Sequence, residues 1–168
     1  MIRALAIVAL AATTAAAAPR AQPHLTPDGW GPVRIGMTRA DVAEALGVVP
    51  RGEPVEPGGG CVEQISDAHP GMWFMFEDGR LTRISIGEQS RITTPHGIGI
   101  GATAAQVRKA YSRGLKAEVH HYEGRPAEYL TWWAIPKWRG LRFETDARRR
   151  VQTIHAGGPS IEYIEGCL

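Results

Sequence analysis

Cysteine is almost missing from this chain: Cys61 and Cys167 are its only two. No Cys-x-x-Cys pair exists, and neither Cys stands at a readable helix start, so a thiol enzyme is disfavoured. Charge of one sign is equally scarce. The 19 basic side chains face 17 acidic ones, a balance that argues against nucleic acid or an acidic membrane surface as the main partner. The tribasic run Arg148, Arg149, Arg150 is the one cationic cluster, and it reads as a solvated hairpin turn. Of the six histidines, no pair has the i, i+4 spacing of a helical zinc site, and adjacent His120 and His121 would point to opposite faces of a strand. Asp67, His69 and Glu63 read as ordinary loop polars rather than a metal group. There is no Gly-x-Ser-x-Gly elbow, and Glu77 with Asp78, or Glu162 with Glu165, fall at hairpin and terminal positions rather than in a recognisable cleft. Gly97 to Ala102 matches a dinucleotide fingerprint only formally, because Thr93, Thr94, Pro95 and His96 precede it where a buried strand should be. The chain is therefore expected to be no enzyme and to hold no metal or cofactor.

Long apolar runs are scarce too. The longest, Ala4 to Ala18, is too short and too Ala-rich for a membrane span. Behind the positive start at Arg3, with small residues at Ala15 and Ala17, it fits a secretory signal peptide over residues 1–18. The expected product is periplasmic or secreted, with no membrane anchor. Residues 19–28, carrying Pro19, Pro23 and Pro27, read as a flexible linker. About 150 residues then remain, enough for one compact domain or two very small ones sharing a core. In an oxidising compartment the two cysteines can bridge. Closing so long a loop would stabilise by about 4 to 5 kcal/mol on the chain-entropy model.

What the sequence does have is a repeat. Ile35-Gly36-Met37-Thr38-Arg39-Ala40-Asp41-Val42 returns as Ile100-Gly101-Ala102-Thr103-Ala104-Ala105-Gln106-Val107. In each copy Thr is suited to an N-cap, and the acid or amide three residues on closes a capping box. The spacing predicts helices over Arg39–Leu46, ended by Gly47, and Ala104–Arg113, ended by Gly114. Pro50 to Gly60 reads as a surface loop. Strands are expected at Cys61–Ile65 and Met72–Phe76, then from Leu81 to Ile86 after the Asp78-Gly79 hairpin signal. The second copy should supply strands near Lys116–Tyr122, Tyr129–Ile135, Leu141–Asp146 and Val151–His155, with Ser160–Ile164 as a possible last one. Arg83 to Ile86 alternates, so one sheet face should be covered and the other wetter. The expected fold class is α+β: two tandem helix-plus-antiparallel-sheet units, 29–90 and 91–168, forming a continuous curved sheet with short helices on one face.

The most informative composition is aromatic. Tyr122, Tyr129, Trp132, Trp133 and Trp138 crowd one segment, with Arg125, Lys137 and Arg139 as a polar rim. On a strand Trp132 and Trp133 must face opposite sides, so one can fill the core while the other is exposed. Such side chains supply interface anchors or platforms for sugar rings. They can equally fill a small core.

The element Ile35 to Val42, followed by Leu46-Gly47, resembles the start of the repeat in the beta-lactamase inhibitory protein family and in the small outer-membrane assembly lipoproteins. Gly31 to Thr38, Gly140-Leu141-Arg142-Phe143-Glu144-Thr145-Asp146 and Tyr163-Ile164-Glu165-Gly166-Cys167 also resemble small exported proteobacterial proteins sometimes labelled lectins. The resemblance implies tandem units whose strands join in one curved sheet with an aromatic concave face that docks on a partner. This chain differs in having only two cysteines and in carrying Ala102 where the first copy has Met37. The expected function is a non-enzymatic binding module of the cell envelope recognising a protein partner, with carbohydrate binding as the alternative and an envelope hydrolase third.

Overall fold

The computed structural model describes residues 22–54 and 59–167. The expected signal peptide lies outside the described residues, as does the middle of the Pro50–Gly60 loop. The chain begins with three two-residue strands, β1 (Leu25–Thr26), β2 (Gly29–Trp30) and β3 (Val33–Arg34), which form a small antiparallel sheet. Leu25 and Val33 are fully buried. Residues 25–28, read above as linker, thus belong to the packed structure.

Helix α1 (Arg39–Leu46) starts at a complete capping box: Asp41 N donates to Thr38 Oγ1 at 3.2 Å and Thr38 N to the Asp41 carboxylate at 2.8 Å. It stops at Gly47, whose left-handed backbone (φ 69°) suits glycine. Next come β4 (Arg51–Gly52), β5 (Cys61–Ile65), β6 (Met72–Glu77) and β7 (Arg80–Ile86). Helix α2 (Ala104–Ala110) repeats the box with Thr103 and Gln106. The chain continues through β8 (Lys116–Val119), β9 (Glu128–Ile135), β10 (Arg139–Thr145) and β11 (Val151–Gly157) into a 3-10 turn, Pro159–Glu162.

Among the described residues, β4 to β11 form one antiparallel sheet in the order β4-β5-β6-β7-β11-β10-β9-β8. Its two four-stranded meanders, β4 to β7 and β8 to β11, meet at the β7–β11 pair, where Ile86 faces Ile154. The repeat is visible where each loop enters its helix. Gly36 N donates to Leu81 O and Leu81 N to Met37 O, at 2.7 and 2.8 Å; Gly101, Val151 and Ala102 make the same pair at 2.8 Å each. Arg80 donates to Gly36 O, and Arg150 to Gly101 O. Arg150 of the tribasic run therefore pins the entry to α2 instead of merely solvating a turn.

The expected α+β class does not hold. Among the described residues strand and bridge positions make up 39% and helical ones 13%, in a mostly β architecture of two antiparallel sheets with only two α-helices. The reason is the size of the helices. They run eight and seven residues, and only Val42 in α1, with Ala104 and Val107 in α2, is buried, too little apolar surface to form a layer. Leu25, Trp30, Val33, Ile98 and Tyr111, from the small sheet and loops, complete the same core. Boundaries also move. Helix α2 ends at Ala110, β8 at Val119, and Ser160–Ile164 holds the 3-10 turn instead of a strand.

The core lies on one face of the large sheet. Phe74, Phe76, Ile84, Ile86, Leu130, Phe143 and Ile154 are fully buried there with Val42 and Val107, each contributing about 1.5 to 3 kcal/mol relative to exposure. Cys61 and Cys167 are disulfide-bonded with Cα atoms 5.2 Å apart.

Candidate functional site

Because side chains alternate along a strand, every residue between two core positions points to the other face. There the register lines up two polar rows. Trp73, Ser85, His155, Arg142 and Thr131 face one another across β6, β7, β11, β10 and β9. Thr153, Glu144, Tyr129 and Glu118 form the neighbouring row across β11, β10, β9 and β8. On the other flank Glu63, Met75 and Arg83 lead to the facing pair Gly157 and Gly140.

These polar groups are buried and bound to one another. Ser85 is fully inaccessible, and Arg83, Arg142 and His155 are no more than 5% exposed. The Ser85 hydroxyl lies 2.7 Å from His155 Nδ1, and His155 Nε2 lies 3.2 Å from Glu144 Oε1. An imidazole protonated at Nε2 alone satisfies both bonds, accepting from Ser85 and donating to Glu144. Burial holds His155 below its ordinary pKa; the hydrogen bond and charge of Glu144 pull upward against it, while the Arg83 and Arg142 charges add to the lowering. Burial alone would raise Glu144, but the His155 hydrogen bond and nearby cations keep it below the usual carboxylate range. Arg83 donates to Glu63 at 2.5 Å. Arg142 donates to Thr131 at 3.2 Å and lies 4.0 Å above the Tyr129 ring, on which His120 also stacks. Among the described residues Arg83 Nε and Arg142 Nε have no partner.

Two segments roof this floor. The C-terminal stretch 158–167 crosses over Arg83, which donates to Ser160 O at 2.9 Å. It can lie so close because its Ile161 sits on Gly140, where a Cβ would come within 3.0 Å of Ile161 Cδ1. Gly157, at φ 148°, could not carry a Cβ without striking Thr82 O. From the other end the loop after β8 folds over, and the Tyr122 hydroxyl donates to Glu165. Beside the C-terminal stretch lies an open cavity of about 270 Å³ walled by Glu63, Trp73, Arg83, Glu144, Thr153, His155 and Tyr163 to Gly166.

The expected site residues are spread apart. Tyr129 is buried on the polar face. Trp132 packs in the core against Tyr111, ring centres 5.1 Å apart. Trp133 is half-buried beside Gly140. Tyr122 is exposed in the loop after β8, near Arg125 on the same loop. Lys137 and Trp138 stand exposed at the β9–β10 hairpin, with Arg139 half-buried over the Trp138 ring and 3.4 Å from Asp28. Asp67 pairs with Arg51 and His69 with Ser66, away from Glu63.

The sequence reading missed Trp73, Arg83, Ser85, Arg142, Glu144 and His155 as a group. Their signal was polar residues interleaved with core ones, as in Arg83-Ile84-Ser85-Ile86, Arg142-Phe143-Glu144 and Thr153-Ile154-His155. Ser85, His155 and Glu144 form a hydrogen-bonded chain, yet with Ser85 inaccessible no substrate atom can meet its hydroxyl. Among the described residues no group of three or more His, Cys, Asp or Glu could hold a metal ion, and no helix is long and apolar enough to cross a membrane. No protein-family model, curated protein or solved structure matches the chain.

Proposed function

We propose that the protein is an exported, non-enzymatic binding module of the cell envelope, and that it grips a protein partner with the polar face of its sheet. The observation that supports this reading is a set of exposed large side chains on and against the segment that borders the cavity. Tyr122 is 61% exposed, Tyr163 42% and Ile164 43%. Rigid Tyr side chains around a desolvated floor are the residues that dominate binding energy at protein interfaces. The hydrogen-bonded floor fixes the shape that the partner meets, at little entropic cost on binding.

The test is capture from an envelope extract with bridged wild-type protein as bait. The Tyr122→Ala, Tyr163→Ala double variant, correctly folded by circular dichroism, should recover at least tenfold less partner. Equal recovery would remove these side chains from the interface. A second reading, carbohydrate binding, is favoured by the cavity itself, whose roughly 270 Å³ suits one sugar ring. Trp73 offers a stacking face there, with carboxylates and an arginine for hydroxyls. Glycan-array binding lost on Trp73→Ala, without any captured protein, would establish that reading instead.

A further inference from the structure

The C-terminal segment is held at its two ends by different means. At its start Ser160 and Ile161 are buried, and Gly158 N donates to Thr82 O at 3.1 Å. At its end the Cys61–Cys167 bond ties it to the first residue of β5. Between them its ties are hydrogen bonds from Arg83 to Tyr163 O at 3.4 Å, from the Tyr163 hydroxyl to Glu77 at 3.0 Å and from the Tyr122 hydroxyl to Glu165. All three place at least one exposed residue at the contact, where such bonds are weak.

Residues Tyr163 to Gly166 are also a partition. One side walls the cavity above His155. The other walls an open groove of about 560 Å³, lined also by His121 and by both cysteines. Cys61 and Cys167 are partly exposed, so a small thiol can reach the bond from that groove.

We propose that the Cys61–Cys167 bridge is a redox latch on the binding face: closed, it holds the Tyr163–Ile164 rim in place for the partner, and its reduction frees residues 163–167, joins the two grooves and dismantles that rim. The reductant is a dithiol. One of its thiolates attacks a cysteine sulfur, forming a mixed disulfide and releasing the other cysteine as a thiolate. Its second thiol then displaces the remaining cysteine. Two electrons pass to the protein, both cysteines finish as thiols after taking up protons, and the dithiol finishes as a disulfide. Residues 158–162 stay seated on Gly140, so the strap opens from its far end.

The regulatory meaning rests on the binding face proposed above; the latch itself does not. The experiment is NMR on the full-length protein, oxidised and then treated with dithiothreitol under nitrogen. On reduction the backbone of 163–167 should become disordered on the nanosecond timescale, with β7 and β11 amides unchanged, and the His155 imidazole should titrate closer to an ordinary histidine. A Cys61→Ala, Cys167→Ala variant should reproduce the reduced spectrum. Unchanged order at 163–167 would overturn the latch, and so would collapse of the whole spectrum, which would make the bridge a folding staple. Partner capture is then compared between the two redox states and should fall on reduction. Equal recovery from both overturns the regulation. Recovery from neither removes the binding reading, and the NMR result alone then decides the latch.

Discussion

Both faces of the eight-stranded sheet are buried, but by opposite means. On one, Phe74, Ile84, Phe143 and Ile154 meet Val42 and Val107 in a dry core. On the other, Arg83, Ser85, Arg142 and His155 are just as inaccessible, yet they are held by hydrogen bonds and ion pairs. The apolar face gains from every atom removed from water. The polar face has to replace the water it loses with partners, and such a network, in which Arg83 Nε and Arg142 Nε lack one among the described residues, adds little net stability while fixing geometry. Conformation is therefore determined mainly on one side, and the other is the face on which recognition is proposed.

The comparison breaks hardest at Phe143. Phe143→Ala should lower unfolding free energy by about 3 to 5 kcal/mol in urea titration, since the ring is fully buried against Tyr111. A loss under 1 kcal/mol would mean that the core face is not the source of stability. On the polar face Arg83→Met should cost about 2 kcal/mol, because it strands Glu63 and two strap carbonyls. The figure is set below that of a fully buried pair because Glu63 is 36% exposed. Thr38→Ala and Thr103→Ala should each cost about 1 kcal/mol through loss of equivalent caps. Markedly unequal losses would separate the two helices that the backbone pairs alike.

Acid sharpens the contrast most gently. His155 is held below its ordinary value, so the unfolded chain binds a proton more readily than the folded one. Stability is complete above the ordinary histidine range and declines as pH falls through it toward the lower folded value. Glu144, also depressed, continues the decline at more acid pH. Denaturation midpoints measured between pH 7 and 5 should fall for the wild type and flatten for His155→Gln. An unchanged slope in the variant would take His155 out of the pH response.

Much of the local structure was readable from residues alone. The capping boxes at Thr38 and Thr103, the Gly47 stop, the Asp78-Gly79 turn and the Cys61–Cys167 bond all depend on near neighbours or on simple pairing. The class was misread because two clear helix starts suggested a helical layer, and a start signal says nothing of how little a two-turn helix buries. The polar cluster was not legible for a related reason. Aromatic density near Trp132 and Trp133 is visible along the chain, whereas the meeting of Trp73, Ser85, His155 and Arg142 exists only across four strands.

The sequence by itself determined where each helix begins, which strand residues alternate and that two cysteines were available to pair, because these follow from short-range sterics, hydrogen bonding and composition. Only the tertiary structure decided which polar residues face one another, and that the C-terminal segment covers them. Register and strap placement come from core packing and strand order, which sum contacts between residues far apart in the chain.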